Sequence, residues 1–137
     1  MADKPLVAKV EDFAVRCLRL WQYLLKKQEY DISRQIKRSG TSIGANVHEA
    51  LCASSKKDYL NKMYIAYKET NETLYWLRIL NRSEFLAEKE FKSIYADCLD
   101  IKNILTSIIK TTKNNINNVN KNATEEIEDV EMENKQQ

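Results

Sequence analysis

The 137-residue chain contains two glycines and one proline, where an average sequence of this length would carry roughly ten and seven. Glycine and proline punctuate turns, so the chain makes few of them. All-β sandwiches and barrels, which turn about every 8–12 residues, are excluded. A glycine-rich phosphate loop is excluded with them. The three cysteines, Cys17, Cys52 and Cys98, are odd in number and far apart. They form neither a disulfide framework nor a Cys-x-x-Cys motif, and read as the reduced thiols of an intracellular protein. Histidine occurs once, at His48, beside no nucleophile motif. Glu69 and Glu72 invite a di-iron reading, but such a bundle needs Glu-x-x-His pairs on two helices. No apolar run approaches the ~18 residues of a membrane span, and the N-terminal pentapeptide ending at Pro5 has no apolar secretion segment. The expectation is a cytoplasmic protein that is not an enzyme, with no cofactor, no metal and no membrane partner.

What is present is helical periodicity. Val10, Phe13, Cys17, Leu20/Trp21 and Leu24 recur every three or four residues and predict a first helix over about Leu6 to Lys27. Pro5 falls where a first-turn proline is tolerated. Ile36, Ser39/Gly40, Ile43, Val47 and Ala50 give a second helix, about Ser33 to Ala53, with Ser33 as its N-cap. Leu60, Met63, Tyr67, Thr70, Leu74 and Leu77 give a third, about Ser55 to Asn81, opened by a Ser55/Asp58 capping box. Phe91, Ile94/Tyr95, Cys98, Ile101, Leu105 and Ile108/Ile109 give a fourth, about Ala87 to Thr112. The connections are short and force antiparallel neighbours. The predicted fold is therefore all-α, an antiparallel up-down-up-down four-helix bundle over residues 1–113. Residues 114–137, asparagine-rich and then acidic, hold few apolar side chains to offset ordering entropy. They are expected to form a disordered tail beyond a turn or two of helix four.

The formal net charge of +2 hides a division. Residues 114–137 hold two lysines against six acids, or −4, so residues 1–113 hold 20 basic and 14 acidic side chains, or +6. A basic body attracts nucleic acid or other anionic surfaces through summed charge. The acidic tail could fold over that body and compete with anionic ligands.

Helix two concentrates the unusual features. Gly40 and Gly44 lie four apart, on one side of it. Each costs about 1 kcal/mol relative to alanine, a cost usually offset by close approach of another backbone. That approach could come from the bundle itself or from a ligand or second subunit. Arg34, Lys37, Arg38, Thr41 and His48 lie on the opposite face, followed by Lys56 and Lys57. Such spacing suits successive phosphates, and equally a solvated basic face. Arg34, Lys37, Arg38, Lys56 and Lys57 are the candidate nucleic-acid contacts. Between the faces run Gln35, Arg38, Ser42, Asn46 and Glu49, polar residues that need partners at a helix or subunit boundary. Glu49 is one carboxylate that could serve Arg38. On helix three, Tyr59, Tyr64, Tyr75 and Trp76 exceed what one apolar stripe needs, which marks them as candidate oligomer-interface residues.

The run from Ser33 to Ala50 resembles the signature of the four helix bundle protein family, also called the ribosomal RNA intervening-sequence protein family. Gln35, Ile36, Arg38, Ser42, Ile43, Asn46, Val47 and Glu49 match its motif, and stretches 57–60 and 66–77 resemble its third helix. Lys37, His48 and Ala50 depart from it. The resemblance covers about residues 10–110 and leaves out the acidic tail. It implies an antiparallel four-helix bundle assembling into a homopentamer. It also implies kinship with the accessory proteins of diversity-generating retroelements, which bind a reverse transcriptase and whose basic surfaces are thought to contact RNA or DNA. The resulting expectation is a non-enzymatic oligomeric bundle that binds nucleic acid or a nucleic-acid-processing protein. The alternative is a purely structural or protein-interaction module.

Overall fold

The computed structural model describes residues 3–136, with side chains from Pro5 to Gln136. The outermost residues of the two expected segments, 1, 2 and 137, lie outside the described residues. Four helices follow one another: α1 (Asp3–Lys26), α2 (Asp31–Leu51), α3 (Lys56–Arg82) and α4 (Glu88–Lys135). No strand occurs among the described residues. The apolar stripes converge on one core, with Phe13, Leu24, Ile36, Ile43, Met63, Leu77, Ile101 and Leu105 sealed from solvent. Packing runs in chain order, α1 on α2, α2 on α3 and α3 on α4, while the closing α1–α4 seam is the thinnest. Polar bridges span that seam: Arg16 reaches Asp97 at 2.6 Å and Ser93 at 2.7 Å, and Lys9 lies 3.6 Å from Asp100.

The turns show how a chain this poor in glycine reverses three times. Gln28 (φ 61°) and Glu84 (φ 67°) take the left-handed conformation just past α1 and α3, where glycine is the usual residue. The helix α2 begins two residues before its expected start. Ser33 lies buried inside it and its hydroxyl has no hydrogen-bond partner. The cap comes instead from Glu29, whose carboxylate accepts from the Ser33 N–H at 2.6 Å and the Asp31 N–H at 3.4 Å. A carboxylate reaching forward over the first turn satisfies open N–H groups there. The α3 start is as expected: Ser55 Oγ accepts from the Asp58 N–H at 3.0 Å.

The C-terminal segment requires a correction. Residues 114–135, expected to be disordered, continue α4 without a break to Lys135. A count of apolar residues missed their spacing. Ile116, Val119, Ala123, Ile127 and Val130 recur at intervals of three and four and prolong the stripe of Ile101, Leu105 and Ile109. The expected folding of this segment over the α2 face does not occur either, because α4 continues as one helix to Lys135 and its side chains past Ile116 are exposed.

Candidate functional site

The polar ladder of α2 sits on the seam between α2 and α3. Arg38 is its centre. Its guanidinium donates to both Glu69 oxygens at 3.3 and 3.4 Å and to Glu72 at closer range, and its Nε donates to Gln35 at 3.3 Å. Glu69 and Glu72 stand three apart on α3, so both reach the same side. The planar fork of arginine can serve two carboxylates at once, which a lysine ammonium does less well. Deeper in the same seam, Thr73 donates to Ser39 at 2.8 Å in a fully buried hydrogen bond between the same two helices.

The two carboxylates titrate differently. Burial, then hydrogen bonding with Glu72, pushes Glu69 above the usual carboxylate range. Burial also opposes ionisation of Glu72, but hydrogen bonding from Arg38 and with Glu69 outweighs it and holds Glu72 low. The Trp76 indole N–H is buried without a well-formed hydrogen bond, yet lies close enough to Glu72 to help keep it ionised. At low pH the shared proton therefore belongs on Glu69. Hydrogen bonding to Glu72 correspondingly raises the Arg38 pKa.

The other ladder residues turn inward on their own helix. Ser42 Oγ donates to the Arg38 carbonyl at 2.7 Å, and Asn46 Nδ2 donates to the Ser42 carbonyl at 2.8 Å. Glu49 pairs with Lys62 at 2.9 Å rather than with Arg38. Gly40 and Gly44 face α1. A Cβ added at Gly40 would fall against Cys17 Sγ and 2.8 Å from Cys17 Cβ, and one at Gly44 would meet Val10 at 3.4 Å. Of the two approaches considered for this flank, the structure shows that of the bundle's own first helix.

The five candidate nucleic-acid contacts divide into two groups. Arg34 pairs with Asp31 at 3.0 Å, the Lys37 ammonium lies 4.0 Å over the Trp21 ring, and Arg38 is held by its carboxylates. These three lie in the first half of α2. Lys56 and Lys57 lie at the start of α3, exposed, with no ion pair among the described residues. At ~1.5 Å per residue, some 20 Å of α2 separates Arg38 from its C-terminal end. His48 lies 2.9 Å from Glu11.

The aromatic candidates also divide. Tyr59 and Trp76 are half-buried against the core, whereas Tyr64 and Tyr75 are exposed. Tyr75 packs edge-on against Trp76 with ring centroids 5.0 Å apart, and Lys113 lies 5.8 Å over Tyr64. Tyr64 and Tyr75 are eleven residues apart and so project from nearly the same face of α3.

Among the described residues, no group of three or more His, Cys, Asp or Glu side chains could hold a metal ion, and Glu69 and Glu72 are both engaged by Arg38. A cleft of about 550 Å³ opens on the α1–α4 seam between Arg16, Tyr23, Leu86 and Glu90, away from every residue of the ladder. No described helix is long and apolar enough to cross a membrane.

Sequence reasoning found Arg38 but not its partners. The signal was available: two glutamates three apart on the helix that follows an unpaired arginine.

Comparison with known proteins places this geometry. The sequence matches the family described as 23S rRNA-intervening sequence protein over residues 3–107. No curated protein matches it. A crystal structure of a protein of unknown function from the S23 ribosomal protein family of Bacteroides thetaiotaomicron is 46% identical. It covers 80% of this chain and 99% of its own, with a TM-score of 0.79. The chain belongs to the 23S rRNA-intervening sequence protein family.

Proposed function

We propose that this member of the 23S rRNA-intervening sequence protein family is a non-catalytic, cytoplasmic helical module. In this reading it assembles with copies of itself, as a pentamer by family resemblance, and binds nucleic acid or a nucleic-acid-processing protein such as a reverse transcriptase. The observation that carries the reading is the +6 charge of residues 1–113 together with Lys56 and Lys57, which stand free at the α2–α3 turn. Unpaired lysines at a bundle end can reach phosphates with little cost in broken contacts. Arg34, 70% exposed beside Asp31, is the next contact in line. Arg38 contributes by fixing α3 against α2, because its charge is already matched by two carboxylates.

Gel-shift titration of RNA and DNA at several salt concentrations tests this. The expected result is binding that weakens with salt and falls sharply in Lys56→Glu/Lys57→Glu. No binding at low salt, or binding indifferent to that pair, overturns it. The second reading, a module that binds only proteins, is favoured by exposed Tyr64, Ile65 and Tyr75 on α3, since aromatic anchors are enriched at interfaces. It predicts self-association without affinity for nucleic acid.

A further inference from the structure

We propose that the overhanging end of α4 pairs with the same segment of a second copy, antiparallel, about a two-fold axis at Ala123. The segment from residue 114 to Lys135 continues α4 for roughly 33 Å at ~1.5 Å per residue, and past the partly buried Ile116 its side chains are all exposed. Its stripe is continuous with the core face of α4 but from Val119 onward meets nothing: Val119, Ile127 and Val130 are 55%, 60% and 56% exposed. A helix in water with six asparagines among residues 114–122 has weak intrinsic propensity. Most helical stability comes from packing an apolar face. The stripe therefore calls for a partner.

The arrangement of the stripe says which partner. Val119 and Ile127 lie four residues on either side of Ala123, and Ile116 and Val130 lie seven. In an antiparallel pair centred on Ala123, Ile116 faces Val130, Val119 faces Ile127, and alanine faces alanine where two helices approach closely. Charge agrees with this direction. Residues 102–124 carry four lysines and no acid, while residues 125–136 carry six acids and one lysine. Parallel pairing would set the acidic ends side by side. Antiparallel pairing sets each acidic end on a basic stretch, and it places Lys121 opposite Glu125 and Lys113 opposite Glu133, two and ten residues either side of the same centre. Such flanking charges set orientation in paired helices, and a self-complementary surface repeated about a two-fold axis is the commonest closed assembly.

The full chain, with exposed Cys52 changed to Ser, tests the pairing by oxidative cross-linking. Ala123→Cys is expected to cross-link to itself. Val130→Cys and Ile116→Cys are each expected to remain uncross-linked alone and to cross-link when mixed. Light scattering of Val119→Asn/Ile127→Asn is expected to give a lower mass than the unsubstituted chain. Self-cross-linking of Val130→Cys as readily as Ala123→Cys would mean parallel pairing and overturn the proposal. Absence of the Ala123→Cys cross-link, with unchanged mass in the double variant, would leave the stripe to a different occupant and overturn it as well.

Discussion

Replacing each of the two glycines of α2 by alanine separates helix propensity from packing. The glycines lie four residues apart in the interior of one helix, so each substitution brings the same intrinsic gain, about 0.8–1.0 kcal/mol. Their surroundings differ. At Gly44 the new methyl would sit 3.4 Å from Val10 Cγ2 and Val10 O, an ordinary contact. At Gly40 it would collide with Cys17 Sγ and lie 2.8 Å from Cys17 Cβ. Cys17 is fully buried, so its side chain has little room to turn away and α1 itself must shift. Overpacking of this kind costs about 1–3 kcal/mol. Gly44→Ala is therefore expected to leave stability unchanged or raise it by up to about 1 kcal/mol, and Gly40→Ala to lower it by about 0–2 kcal/mol. The gap between the two, about 1–3 kcal/mol, reads the close approach directly because propensity cancels.

Urea unfolding followed by far-ultraviolet circular dichroism, at one fixed protomer concentration, measures both variants. A third variant, Gly40→Ala with Cys17→Ala, completes a double-mutant cycle. Removing the sulfur relieves the worst contact, so the double variant should be more stable than the sum of the single effects allows. Gly40→Ala as stable as Gly44→Ala, or additive behaviour with Cys17→Ala, would refute the claim that the glycines exist to seat α1.

Two further predictions concern ionisable groups. Arg38→Gln is expected to destabilise the fold by about 1 kcal/mol at pH 7, the scale of a half-exposed ion pair, and by less near pH 4. The deficit shrinks because Glu69, already pushed up, takes a proton first and ends the repulsion with Glu72. In the unsubstituted protein the two carboxylates oppose each other. The contribution of Glu72 is present above its unfolded pKa and lost as pH falls through its lowered folded pKa, whereas that of Glu69 is lost as pH rises through its raised one. A deficit independent of pH would mean that Arg38 acts through packing alone. Thiol labelling of the native protein near pH 8 is expected to modify Cys52 quickly and the other two only on unfolding, because Cys17 is buried with its pKa pushed up to about 12 and burial raises Cys98 likewise. Fast labelling of two or three thiols would show that the core opens.

The parts of the fold that could be read from sequence are those set by spacing along one helix. The four stripes, the short connections and the glycine flank depend only on a period of 3.6. The parts that could not be read depend on how helices rotate about one another or on single backbone angles. Which acid would meet Arg38 turned on the rotation of α3: Glu69 and Glu72 face α2 there, while Glu49 is taken by Lys62. Ser33 looked like a cap because of its residue type, yet Glu29, a residue rarely considered for that task, reaches the same N–H groups with a longer arm. Nothing in the letters Gln28 and Glu84 announces a left-handed turn. The C-terminal segment differs for another reason: its composition argues for disorder while its spacing carries a stripe.

These observations make α2 the helix against which its two neighbours are set. Its glycine face takes α1 at Cys17 and Val10. Its polar edge takes α3 through Arg38 with Glu69 and Glu72, and through Ser39 with Thr73. The motif that carries the family resemblance is thus largely turned inward, since Ser42 and Asn46 bond to their own helix. Two consequences follow for function. On the proposed reading, anion binding falls above all to Lys56 and Lys57, outside the motif, and substitutions within the motif act on affinity by shifting α3 rather than by removing a contact. And α4, held firmly only by α3 and bridged to α1 by Arg16 and Lys9, is the element whose position the α2 motif controls least. It is also the helix that projects an unpartnered stripe. The proposed assembly through α4 can therefore change without disturbing the α1–α2–α3 core, and, if both proposals hold, a Lys56→Glu/Lys57→Glu variant loses nucleic acid while keeping its α4-mediated mass.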